Sequence, residues 1–183
     1  MKKRGFTIVE TMIVITISVS MLIALIFLLF NFNTISTYQK NFMQSSNSAS
    51  LLVREVESLT FPAHRILQTH TFSSGTHTSS STALVLEIPS IDISGNTIAN
   101  TYDYAAFYTT GTNTYRLLEV NASSKRASGT KQLSATTQTL TFTYSDVDFT
   151  KAMSVTIALQ TQMQIKGETV ADTRGEQIRL RNY

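Results

Sequence analysis

Between Phe6 and Phe32 runs an almost wholly apolar stretch. At about 1.5 Å per helical residue it makes a helix of about 40 Å, enough to cross a hydrocarbon layer of about 30 Å. A short basic head (Lys2, Lys3, Arg4) and Gly5 precede it, and no further basic residue follows until Lys40. That asymmetry predicts a single-pass membrane helix with its N-terminus inside and the rest of the chain outside. A secretory signal peptide would have an apolar core of about half this length and a small-x-small cleavage site. One residue does not suit lipid. Glu10 lies a turn inside the run, where an ionised side chain costs a few kcal/mol unless it reaches the interface or finds a partner.

The segment Lys2-Lys3-Arg4-Gly5-Phe6-Thr7-Ile8-Val9-Glu10, with an unbroken apolar helix behind it, resembles the leader of type IV prepilins and pseudopilins. The resemblance implies cleavage after Gly5 by a prepilin peptidase, N-methylation of Phe6, and Glu10 as fifth residue of the mature chain. It implies assembly of a filament in which Glu10 of one subunit meets the Phe6 amine of a neighbour. The partners so implied are other pilin or pseudopilin subunits, a platform protein and an assembly ATPase. The chemistry is coherent: trimming exposes an α-amine that is mostly cationic at neutral pH. Ammonium and carboxylate attract strongly in a low-dielectric bundle, which offsets much of the burial cost.

Composition narrows the remainder. The formal charge of +3 belongs to the head, because three of the 15 Lys and Arg lie there and 12 then stand against the 12 Asp and Glu. A mature chain of zero net charge with no sizeable basic cluster argues against nucleic acid as the main partner. With no cysteine, an exported head of ordinary size must be held by its core alone.

Neither Pro before Pro62 nor Gly before Gly75 interrupts the helix beyond Phe32. Ile35, Tyr38, Phe42, Ala49, Leu52, Val53, Val56 and Leu59 recur at helical spacing, so one helix from about Phe6 to about Leu59 is expected, with Pro62 preventing its continuation. The small polar stretch Gln44 to Ser50 reads as locally loose. Residues Ala63 to Thr82 read as a Ser/Thr-rich connector with three solvated histidines, His64, His70 and His77, whose spacing does not match a zinc site.

From Ala83 the period becomes two. Leu84, Leu86 and Ile88 alternate with Val85 and Glu87, and Pro89 and Gly95 mark a turn region. Tyr102 to Tyr108 and Tyr115 to Val120 flank a hairpin turn; Lys125 to Gly129 reads as a polar loop; Leu140, Phe142 and Tyr144 alternate with threonines. Met153 to Ile165 is the clearest strand, dry on one face and wet on the other, and Gln177 to Arg181 reads as the last, with Ile178 and Leu180 inward. The ending Leu180-Arg181-Asn182 plus an aromatic is similar to the C-termini of minor pseudopilins of the type II secretion J kind and related minor pilins.

The expected fold is α+β, a pilin-like lollipop with one long helix whose second half covers an antiparallel head. Its divisions are leader 1–5, transmembrane and filament-core helix 6–32, amphipathic continuation 33–60, connector 61–82 and β head 83–183. No catalytic constellation or cofactor motif stands out, so a structural subunit rather than an enzyme is expected. Asp146 and Asp148 have the spacing that begins a calcium loop, but the glycine and distant glutamate of an EF-hand are missing. Asn121-Ala122-Ser123 fits a glycosylation pattern, and the tyrosines Tyr102, Tyr104, Tyr108, Tyr115 and Tyr144 read as sheet residues or an exposed aromatic row. The alternative function is a membrane-anchored extracytoplasmic binding module that does not polymerise.

Overall fold

A computed structural model describes residues 7 to 165 and 168 to 181. The chain divides into two compact units, Met1–Asn41 and Phe42–Tyr183. Helix α1 (Ile8–Thr60) contributes its first part to one unit and its second part to the other. The fold is α+β, one long N-terminal helix and antiparallel sheets, as the periodicities predict.

In the first unit the helix is exposed on every face through Ser36 and is long and apolar enough to be a single-pass membrane anchor. Its polar side chains bond within the helix. Thr11 Oγ1 donates to Ile8 O, Thr16 Oγ1 to Met12 O, Ser20 Oγ to Thr16 O, and Asn31 Nδ2 to Phe27 O, at 2.8 to 3.0 Å. In lipid there is no water to satisfy such groups, so there this internal pairing would remove a cost of several kcal/mol per group.

The second unit contains strands β1 (Arg65–Ile66), β2 (Thr69–Phe72), β3 (Gly75–Thr78), β4 (Ala83–Ile91), β5 (Thr97–Thr110), β6 (Asn113–Glu119), β7 (Gly129–Ser134), β8 (Thr137–Tyr144), β9 (Ser154–Ile165) and β10 (Glu168–Arg179). They form a five-stranded sheet β1-β4-β5-β6-β7, a three-stranded sheet β10-β9-β8 and the hairpin β2-β3. Every described pairing is antiparallel. The turn between β5 and β6 needs Gly111, which sits at φ +61°.

Both larger sheets share one core. Ala49, Leu52, Val56 and Leu59 of the helix pack with Leu84, Leu86 and Ile88 of β4, Phe107 of β5, Phe142 of β8 and the Val155, Ile157 and Leu159 row of β9. Each such aliphatic or aromatic side chain contributes about 1.5 to 3 kcal/mol on burial, which is why a cysteine-free head can hold together. Two ion pairs flank the helix: Glu55 meets Arg116 of β6 and, at 3.4 Å, Lys131 of β7.

Several expectations need correction. The stretch Gln44 to Ser50 is not loose. It is helical, with Ser45 and Ala49 buried, because their small side chains let β9 come close enough for Ser45 Oγ to donate to Thr161 Oγ1 at 2.9 Å. Residues 61–82, expected as a connector, contain β1, a strand of the five-stranded sheet, and the β2-β3 hairpin, which packs on that sheet. Pro89 lies within β4, where the pairing with β5 shifts register, rather than in the turn that follows; a bulge is where a sheet tolerates a proline. Strand β7 and the first half of β10 show little apolar alternation and were not expected. Val155 and Ile157 point inward as read from the sequence, but Met153 is half exposed and the inward row is continued by Thr161.

Candidate functional site

Of the residues that the prepilin-like segment singles out, Gly5 and Phe6 lie outside the described residues and Glu10 lies within them. Glu10 stands in the first turn of α1, three residues after Thr7, and the two form a reciprocal cap. Thr7 N–H donates to Glu10 Oε2 at 2.9 Å, Thr7 Oγ1 to the same oxygen at 3.1 Å, and Glu10 N–H to Thr7 Oγ1 at 3.3 Å. This is the Thr-x-x-Glu capping box, which satisfies two orphan N–H groups of a helix start and places a negative charge at the positive end of the helix dipole. The Thr-x-x-Glu spacing was legible in the sequence, where Glu10 was weighed for its solvation cost and for an assembly role with Phe6, not as a cap. From Ile8 to Gln39 it is the only Asp, Glu, Lys or Arg in the helix.

Two of the three histidines are not loop residues, and His64, in the loop before β1, is half-buried rather than fully solvated. His70 and His77 are directly opposite on the β2-β3 hairpin, and the hairpin lies on the five-stranded sheet with Phe72 in a small core beside Val85, Ala106 and Leu117. His70 stacks on Tyr104 with ring centres 3.8 Å apart, His77 meets Tyr108 at 4.5 Å, and His64 meets Tyr102 at 5.3 Å. The tyrosines of β5 are thus a seat for the hairpin, not a bare aromatic row. Burial lowers the His77 imidazole below its ordinary range, and lowers His70 against the opposing pull of Glu119 and Glu87. A folded state that binds protons less readily than the unfolded chain loses stability as pH falls. The contribution of the neutral pair is therefore complete above about pH 6.5 and declines as acid passes through the lowered folded-state range. Unfolding scans between pH 7.5 and 5 are expected to show a small loss of stability in the native chain that His70→Gln with His77→Gln removes.

Asp146 and Asp148 fall in the loop before β9. Asp146 Oδ1 accepts the Asp148 N–H at 2.8 Å, while Asp148 caps a short 3₁₀ turn through Thr150 and pairs with Lys151 at 3.1 Å. Among the described residues no three acidic or histidine side chains gather to hold a metal. An open depression of about 620 Å³ beside this loop is lined by Ser145, Asp146, Lys151, Met153, Ser154, Gln177 and Arg179, a mixed set with no paired acid and base for catalysis. Asn121 begins an exposed turn in which its Oδ1 accepts the Ser123 N–H at 3.0 Å.

The sequence reading missed one buried cluster, centred on Asp103. Its carboxylate accepts hydrogen bonds from Ser90, Ser124, Arg126 and the Asn121 N–H. A lone aspartate among tyrosines and alanines on a strand was the available signal.

No protein-family model, no curated protein and no solved structure matches this chain.

Proposed function

We propose that the chain is a structural subunit, a minor pilin or pseudopilin of a type IV pilus-like or type II secretion-like filament. In this reading a prepilin peptidase trims it after Gly5, Phe6 is methylated, and the first part of α1 joins a helical core in which Glu10 pairs with a neighbour's Phe6 amine. Platform protein and assembly ATPase draw it from the membrane, and the β unit lies outside the cytoplasm. The observation that carries this reading is the apolar first part of α1, exposed on every face through Ser36 and with one carboxylate at its start, directly behind a basic head and Gly5. Such a helix needs lipid or sibling helices, and such a carboxylate is costly unless it is functional.

The capping box favours a second reading, a membrane-anchored binding module that never polymerises, because it gives Glu10 a local task without any neighbour. The two differ at Gly5. In cells containing a prepilin peptidase, Gly5→Leu should leave the head on and abolish filament incorporation, read as a larger chain that stays in the membrane fraction. Equal incorporation of Gly5→Leu and the native chain would refute the filament reading.

A further inference from the structure

We propose that strand β10 of one copy pairs with strand β7 of the next, so that the heads join edge to edge in an open-ended row. The inference rests on the filament reading for one thing only, that neighbouring copies stand in the same orientation.

Strand β10 is the outermost strand of its sheet and runs for 12 residues in unbroken register with β9. The Leu180 N–H donates to Met153 O at 2.8 Å, so even-numbered residues face β9. The N–H and C=O groups of Thr169, Ala171, Thr173, Gly175, Gln177 and Arg179 therefore point away from the sheet. Among the described residues these outward groups have no hydrogen-bond partner, and the next one in line, Arg181 N–H, donates to Phe61 O at 2.9 Å. Natural edges are kept short or blunted with charges, proline or bulges. This one is about twice the usual strand length and has neither proline nor bulge, and its charges are of both signs, Asp172 and Glu176 beside Arg174 and Arg179.

The occupant follows from direction. Strand β10 runs with the helix, since Arg174 Nη2 donates to Ser46 Oγ at 2.8 Å and Arg181 bonds to Phe61. Of the other terminal strands, β1 is two residues long and β8 donates Phe142 N–H to Ser81 O, whereas β7 is open and runs against the helix. Lys131 meets Glu55, whereas Thr136, just past the end of β7, accepts from Gln162 N–H beside Thr161, which bonds to Ser45. Ser46 and Glu55 are nine residues apart, about 180° around the helix, so the two edges flank it on opposite sides. Copies placed side by side with parallel helices therefore bring β10 of one antiparallel to β7 of the next, a heterologous contact that repeats without closing. Pairing β10 with β10 in that manner would require one helix to be inverted. Charge agrees: Glu176, exposed on the helix side of β10 and without an ion pair among the described residues, comes to the side on which β7 carries the half-exposed Lys131.

The test uses the full, cysteine-free chain in cells that process it. Two tagged variants are co-expressed, Thr173→Cys with Gln132→Cys, and Thr173→Cys with Thr130→Cys to cover the adjacent register. At least one pair should form disulfide-linked dimers about tenfold more efficiently than Thr173→Cys alone. Thr173→Pro removes an N–H with no internal partner, so the melting temperature should be unchanged while cross-linking of the register-matched neighbouring pair carrying it is lost, Gly175→Cys with Thr130→Cys where residue 173 meets Gln132, or Ala171→Cys with Gln132→Cys where it meets Thr130. Normal trimming and filament formation with no cross-link would overturn the inference while leaving the filament reading intact. Equal cross-linking of Thr173→Cys to itself, or cross-linking only to a different protein, would also overturn it. Absence of both trimming and filaments would remove the filament reading and this inference with it.

Discussion

Replacing Asp103 with Ala is expected to cost the head about 3 to 4 kcal/mol, a fall in melting temperature of roughly 10 °C. The carboxylate is fully buried. Ser90 Oγ donates to it at 2.7 Å, Asn121 N–H at 3.0 Å, Ser124 Oγ at 2.7 Å and Arg126 Nη1 at 2.6 Å, and Arg126 also donates to Pro89 O. One side chain thus ties the loop after β6 to β4 where its register shifts. Removing it strands four donors at once, one of them a largely buried guanidinium.

The same cluster sets an acid limit. Burial pushes the Asp103 carboxyl up, but the hydrogen bonds from Ser124, Arg126, Ser90 and Asn121 outweigh it and hold the group below its usual range. A lowered folded-state pKa contributes stability that is complete above the unfolded value of about 4 and is lost as pH falls through the folded one. The native chain should therefore lose more stability between pH 5 and 2 than Asp103→Ala does. Thermal unfolding of both full chains in detergent, followed by circular dichroism, checks both points; matching melting temperatures at pH 7 would show that the cluster holds nothing.

Glu10→Gln should be trimmed and inserted normally yet lose filament incorporation by tenfold or more. The substitution is chosen because glutamine serves a capping box as well as glutamate does, so the helix start survives and only the charge goes. If the sole task of Glu10 is to cap α1, Gln should behave as the native residue does. If the carboxylate meets a neighbour's amine in a low-dielectric core, losing its charge removes the attraction that offsets burial. Glu10→Ala should fail in both respects. Filament yield in shear fractions, beside the mass of the trimmed chain, separates the two outcomes.

How much of this was legible without coordinates depended on where burial is one-sided. The long helix and the Val155–Ile157–Leu159 row were readable because one face is dry and the period is unambiguous. The hairpin of Thr69 to Thr78 was not, because its inward residues are two histidines and one phenylalanine, and a polar composition reads as loop when tyrosines supply the contact surface. Strand β10 was half hidden for a related reason. Its first residues lie on an edge, so few of them need be apolar, and only Ile178 with Leu180 carries the alternation. The Asp103 cluster draws its donors from β4 and from the loop after β6, and no local spacing brings those together. At the candidate site, Glu10 was visible as an anomaly, whereas its bond to Thr7 needed the helix start to be located first.

The most direct test is the mass of the N-terminal peptide of protein purified from its native membrane or filament. A chain beginning at Phe6 and carrying one added methyl group is the predicted result. A peptide that still contains Lys2, Lys3, Arg4 and Gly5 would contradict the account, because Phe6 would then have no free amine for Glu10 to meet.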